Sequence, residues 1–300
     1  MFYPPEQLTR GRVERHDLSV FSDARPATPP RLLFIHHSVG GTLLADPGVP
    51  LEEGARCIYR THPNGGSLRS LLEQEGYEVH ETSYGSRIGD KTNLFDWLPK
   101  FRDDMDRIVT VDRNDLLYSD ERRNRVVIFK SCFPNSKFVG QGTEPGNPAG
   151  PELTVANVRA TMAALLAEFQ KWPHVLFVYM TAPPLAPGVF EERLWKLAVK
   201  KVIGRPIWAE EFAARAALAR TLNNWIAATD GWLGTYPLKN VAVFDYYDVL
   251  TDHGASDLLR FPTEVDGVRD SHPSREGNSR AASEFVPFLN RAVRRAGLSR

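Results

Sequence analysis

The chain has 300 residues, 42% of them hydrophobic, enough for one large α/β domain or two small ones with a substantial core. Lysine plus arginine and aspartate plus glutamate each number 37, so the formal net charge is zero and no overall field gathers nucleic acid or anionic membrane. That balance argues against a polyanion-binding protein and for a small neutral or locally charged substrate.

Residues 1–23 lack a basic segment followed by an apolar run, and no apolar stretch reaches the length of a membrane span, so a soluble, cytoplasmic protein is expected. Cys57 and Cys132 are too few for a disulfide framework and suit a reducing compartment, with one bridge between them left open. Residues 1–30 read as an N-terminal extension ending in a Pro-rich lead-in, and 31–300 as one domain.

Leu32 to Ile35 is a short apolar run bounded by turn signals, the first buried strand. Residues 67–75 read as a helix with Ser67 as N-cap and Gly76 as stop, followed by a second strand over 77–80. A helix over 95–108 then precedes a third strand, Val126 to Phe129. The clearest amphipathic helix spans 154–170 and leads to a fourth strand at 175–179. A helix over 209–228, a last strand at Val241 to Phe244 and a terminal helix over 276–296 complete the pattern, with Pro287 expected to kink or shorten that helix. Apolar strands alternating with helices predict a three-layer α/β/α fold around a doubly wound, mostly parallel sheet. The Gly/Pro-rich stretch 140–151 reads equally as a loop beside a site and as a solvated surface loop.

Ligands of open α/β sheets bind beyond the carboxyl ends of the strands, so the residues after each apolar run bear on function. His36-His37-Ser38-Val39-Gly40-Gly41 follows the first strand, and Lys130-Ser131-Cys132-Phe133-Pro134-Asn135 follows the third. Arg269-Asp270-Ser271-His272-Pro273-Ser274 stands just before the last helix, in what reads as a short loop. A serine hydroxyl becomes a nucleophile only beside a base, and the base needs a third group to fix its tautomer. Ser38, at a strand end with glycines expected to turn the chain sharply and bring amide N–H groups close, suits the first role. His272, with Asp270 two residues before it, suits the other two. Each residue taken singly is as readily a turn residue; their joint placement is what singles them out.

That order, a serine straight after the first strand and a His-Pro-Ser turn before the C-terminal helix, resembles the SGNH/GDSL hydrolase superfamily from about Leu32 to the C-terminus. The resemblance implies a flavodoxin-like sheet, an esterase without cofactor, and a small-molecule or glycan ester as substrate. It implies Ser38 as nucleophile, His272 as base, and an oxyanion hole from the backbone N–H of Ser38 with Gly85 after the second strand and Asn135 after the third. The family has Gly-Asp where this chain has His36-His37, and no Gly-x-Asn spacing surrounds Asn135. Gly85 and Asn135 read equally as residues of local turn geometry. The family's acid usually lies three residues before the histidine, where Arg269 stands; Asp270 is the expected acid, with Asp266 or a Ser-His dyad as alternatives.

His36 and His37, with Asp270, His272 or Cys132, could form a metal site, but neighbouring side chains diverge at a strand end and no metal is expected. One ring should face the Ser38 cleft and bond to a carbonyl or carboxylate while the other packs beneath the sheet or against a helix. Lys130 is expected to pair with an internal aspartate, with a substrate carboxylate as the alternative. Two further functions stay open: an acyltransferase to a sugar hydroxyl using the same Ser-His pair, and a noncatalytic carbohydrate-binding protein on the same scaffold.

Overall fold

The apolar run after the Pro-rich lead-in forms β1 (Leu32–Ile35), every residue of it buried, in a computed structural model that describes residues 13–187 and 208–299. β5 (Val79–Thr82) and β8 (Val126–Phe129) flank β1, both parallel to it, with Leu32 opposite Val79 and Val126. β9 (Leu176–Met180) and β10 (Val241–Phe244) extend the sheet on the β8 side. β6 (Val111–Arg113) and the antiparallel β7 (Leu116–Leu117) extend it beyond β5, giving the order β10-β9-β8-β1-β5-β6-β7. The chain leaves β1 toward β5 and later returns to its other side as β8. This reversal opens a crevice at the carboxyl end of β1, where α/β sheets place ligands.

Because alternate strand residues face opposite ways, the sheet feeds two separate cores. Leu32 and Phe34 pack with α1 (Ser38–Leu44), α2 (Leu68–Gln74) and α8 (Arg275–Arg295), through Leu43, Leu68, Phe285 and Leu289. Leu33 and Ile35 pack with α3 (Trp97–Asp103), α5 (Val155–Gln170) and α6 (Trp208–Ala227), through Trp97, Phe101, Phe169 and Ile226. In this second core Phe169 stacks on Phe177 at 4.0 Å and Phe101 meets Phe129 edge-on at 4.9 Å. Each fully buried ring there contributes about 2–3 kcal/mol. Three layers and a mostly parallel sheet therefore follow the alternation of apolar runs in the chain.

Local boundaries differ from expectation for physical reasons. The helix expected over 95–108 begins as a 3-10 turn, Leu94–Asp96, held by a capping box between Asn93 and Asp96, and breaks at Asp104 before α4 (Met105–Ile108). Pro99 is tolerated as the third residue of α3, where an N–H would have no partner within the helix. Ser67 precedes α2 in a left-handed conformation, φ 60°, and its side chain does not cap. Gly76, φ 83°, does stop that helix, and Tyr77 N–H returns to Leu72 O, so the second strand starts two residues later than expected. Pro287 lies inside α8 without ending it.

Smaller elements complete the chain. β2 (Asp46–Pro47), β3 (Leu51–Glu52) and β4 (Tyr59–His62) form a side sheet. α7 (Tyr246–Leu250) follows β10, and β11 (Pro262–Val265) pairs with β12 (Val268–Pro273) as an antiparallel hairpin. Of the expected N-terminal extension, residues 1–12 lie outside the described residues, whereas Arg15 docks on the domain through ion pairs to Asp245 (3.1 Å) and Asp248 (2.9 Å). Among the described residues no helix is long and apolar enough to cross a membrane.

Candidate active site

Ser38 is the first residue of α1, immediately beyond β1, and its Oγ lies 3.0 Å from His272 Nε2, the geometry of a hydroxyl donating to an imidazole. The opposite ring nitrogen, Nδ1, donates to Asp270 Oδ2 at 2.6 Å. The segment carrying both residues is a strand, β12, and not the short loop expected from sequence. The pairing of β12 with β11 jumps from Thr263 opposite Asp270 to Pro262 opposite Pro273, so Ser271 and His272 lie in a bulge, and across it the His272 ring reaches the Asp270 carboxylate. Asp266 sits at the hairpin tip with Gly267, φ 52° and 75°, the pair of left-handed residues that a tight hairpin turn requires.

The hairpin is fastened at its base. Ser274 N–H donates to Phe261 O at 2.7 Å, Ala186 N–H to Ser271 Oγ at 3.0 Å, and Asn64 Nδ2 to Thr263 Oγ1 at 3.0 Å. Phe133 presents its ring edge-on to His272 at 5.1 Å and 76°. The imidazole is thus held by a hydrogen bond on each nitrogen and an aromatic contact on its side.

Gly40 and Gly41 serve a purpose other than the sharp turn expected of them. Both lie within α1, and a Cβ would come within 2.3 Å of His36 Cβ at Gly40 and 2.0 Å of Cys57 O at Gly41. They let the helix settle directly against β1 and the segment before β4. His36 and His37 diverge as expected. His36 is fully buried, its Nε2 donating to Glu81 Oε2 at 2.8 Å and its Nδ1 facing His37 O at 3.0 Å. Burial pushes the Glu81 carboxyl up, but the His36 hydrogen bond and the charges of His36, Arg69 and Arg113 outweigh it and hold the group below the usual range. His37 faces the Ser38 pocket, stacks on Tyr84 at 3.6 Å and donates from Nε2 to Gly89 O at 2.8 Å. Burial lowers its pKa to about 4, so the ring is neutral near pH 7.

The pocket at Ser38 has a volume of about 410 Å³ and draws its walls from His37, Arg56, Tyr84, Asn93, Phe133 and His272, among others. The backbone N–H of Ser38 has no acceptor among the described residues. Gly85 is not brought to the pocket: its N–H is committed to Asp90 Oδ1 at 2.9 Å. Asn135 does line it, yet its amide nitrogen is engaged by Asn93 Oδ1 (3.2 Å) and Cys132 O (3.3 Å), and its Oδ1 accepts from Leu94 N–H. Asn135 therefore bonds to Asn93, which also lines the pocket and whose own Nδ2 has no acceptor among the described residues. Sequence reading missed Asn93; its only signal was its place as the cap of the helix that follows. Two other pocket residues were also missed: Arg56, in the connection between β3 and β4 of the unanticipated side sheet, and Tyr84, in the loop after β5.

Cys57 and Cys132 are free thiols, and both line this pocket, with Cys132 Sγ 3.7 Å from Ser38 Oγ. No group of three His, Cys, Asp or Glu side chains suited to a metal ion occurs among the described residues. Lys130 does not find the internal aspartate expected for it: it is fully buried, and its Nζ has no hydrogen-bond partner among the described residues. Burial lowers its pKa to about 8, with a partial offset from Cys132. The 140–151 loop lies along α5, through Asn147 N–H to Asn157 Oδ1 (2.9 Å) and Thr161 Oγ1 to Pro148 O (3.1 Å), and contributes nothing to the pocket.

No family model and no curated protein matches the chain. One solved structure aligns with 87% of this chain and 96% of its own at 16% identity, with a TM-score of 0.37, a likeness too slight to bear on fold or function.

Proposed function

We propose that the protein is a serine hydrolase of the SGNH/GDSL type, cleaving an ester-linked acyl group through Ser38, His272 and Asp270. The observation that carries this reading is the continuous chain of two hydrogen bonds, 3.0 Å from Ser38 Oγ to His272 Nε2 and 2.6 Å from His272 Nδ1 to Asp270 Oδ2, at the mouth of a pocket. Ser38 attacks the ester carbonyl as His272 takes its proton. Asp270 keeps the imidazole in the Nδ1–H tautomer and steadies the imidazolium that forms. The tetrahedral oxyanion is received by the Ser38 N–H and the Asn93 amide, donors with no acceptor among the described residues. His272 then protonates the leaving alcohol, and a water activated by the same ring releases the acyl group. Side-chain exposure of 30% for His272 and 48% for Asp270 leaves a path for that water.

The test is labelling with a fluorophosphonate probe, followed by mass spectrometry of the modified peptide. Modification at Ser38, lost in Ser38→Ala and strongly slowed in His272→Ala, is the expected result. Ester hydrolysis that persists in Ser38→Ala, or absence of label on the Ser38 peptide, would overturn the proposal.

A further inference from the structure

Three groups form a column beside Ser38. The His37 ring stacks on Tyr84 with centroids 3.6 Å apart and planes 24° from parallel, and the Arg56 guanidinium lies over Tyr84 at 5.0 Å from the ring centroid. His37 is anchored at the far end by its bond to Gly89 O. A guanidinium resting on an aromatic face keeps its N–H edge free for a planar acceptor, and part of its side-chain entropy is already spent. Arg56 has no ion pair and no hydrogen bond among the described residues, although it lies exposed on the rim of the Ser38 pocket. Among the described residues the pocket wall contains no aspartate or glutamate, and Arg56 is its one side chain with a fixed charge.

We infer that Arg56 is a specificity-determining residue and that the substrate is an ester bearing a carboxylate, which docks on this guanidinium while its acyl carbon lies at Ser38. The inference rests on the serine hydrolase reading above. A surface arginine on a solvated loop would be expected to find one of the chain's many carboxylates. One that is stacked, unpaired and set beside an acid-free pocket has its complement in the ligand. Arg–carboxylate pairs are commonly bidentate, which suits an exposed guanidinium on the pocket rim. A neutral His37 beneath Tyr84 adds no competing charge to the column.

The experiment compares 4-nitrophenyl hexanoate with the mono-4-nitrophenyl ester of adipic acid, which differ by one terminal carboxylate, in the full chain at low and high salt. A second pair, the acetyl esters of 4-hydroxybenzamide and 4-hydroxybenzoate, places the charge on the alcohol side. In at least one pair the anionic ester is expected to show the higher kcat/KM, by about tenfold, which corresponds to about 1.4 kcal/mol. That preference should shrink at high salt. Arg56→Gln should abolish the preference, mainly through KM, and Arg56→Lys should keep part of it. Lys137→Gln, which removes a nearby cation outside the pocket wall, should leave the preference in place. Fluorophosphonate labelling of Ser38 without any preference for an anionic ester, or a preference that survives Arg56→Gln, overturns this inference and leaves the hydrolase reading standing. Failure of Ser38 labelling together with failure to turn over all four esters removes both.

Discussion

Asp270→Asn isolates the contribution of the acid, because it keeps the shape of the side chain and removes its charge. Nδ1 of His272 and Oδ2 of Asp270 are 2.6 Å apart, and the charge centres of an imidazolium and a carboxylate in that arrangement are about 4 Å apart. At that separation their attraction is about 4 kcal/mol at an effective dielectric of 20 and about 1 kcal/mol in bulk water. With Asp270 48% exposed and His272 30% exposed, the pair lies between those limits. An attraction of about 2–3 kcal/mol gained as the ring becomes charged corresponds to a loss of roughly 30- to 150-fold in kcat. This is less than a fully buried acid would supply. KM should move by no more than about twofold, since the carboxylate faces the histidine and not the pocket. Steady-state kinetics on an activated ester checks this, with Asp266→Asn, at the hairpin tip, as the control. A loss below about threefold in Asp270→Asn, or an equal loss in Asp266→Asn, would refute the assignment and leave a Ser-His dyad or another acid in its place.

Asn93→Ala should lower kcat about ten- to a hundredfold and slow fluorophosphonate labelling of Ser38, since both need a donor at the oxyanion; unchanged rates of both would remove Asn93 from that role. Lys130→Met should raise stability near pH 7, because folding now encloses an ammonium with no partner. The shift from 10.5 to about 8 sets an upper limit of about 3 kcal/mol. The unfolded chain binds the proton more tightly than the folded one, so wild-type stability should climb as pH rises from about 8 toward 10.5, and the variant should lack that slope. Urea denaturation across this range decides it, and a less stable variant with an unaltered slope would show that Lys130 has a partner in solution.

The layers of this fold were legible because they depend on patterns that local sequence carries. Four-residue apolar runs such as Leu32 to Ile35 and Val126 to Phe129 are buried on both faces, as parallel strands between helical layers must be, and no long-range knowledge is needed to recognise them. Ser38 and His272 were legible for a related reason. Their positions follow from where strand ends fall in an open sheet, whatever the loops between them do. Donors to an oxyanion are different. Whether an N–H is free depends on what else it touches, and Gly85 was excluded only by Asp90, a hydrogen bond with no signature in the residues around either. Asn135 was placed in the right pocket with its amide already used, and the free amide beside it belongs to Asn93, a residue whose local signal is that of a helix cap.

His36-His37 stands where the resembled SGNH/GDSL pattern has Gly-Asp, and here the pair does its work by donating hydrogen bonds. The loop after β5 must be held in place for Tyr84 to form a wall of the pocket, and three features hold it. His37 donates to Gly89 O at 2.8 Å. Lys100 Nζ reaches Ile88 O and, at 2.5 Å, Asp90 O. Gly89 itself has no room for a side chain, since a Cβ would come within 1.9 Å of Ser83 O. An aspartate in place of His37 would present an acceptor to a carbonyl and repel it, so the loop and the imidazole depend on one another. Burial lowers the ring's pKa to about 4 and keeps it neutral near pH 7. A neutral ring has a single N–H, and Gly89 O takes it. In the proposed reading the base for Ser38 is His272, whose Nε2 lies 3.0 Å from Ser38 Oγ and whose Nδ1 lies 2.6 Å from Asp270 Oδ2.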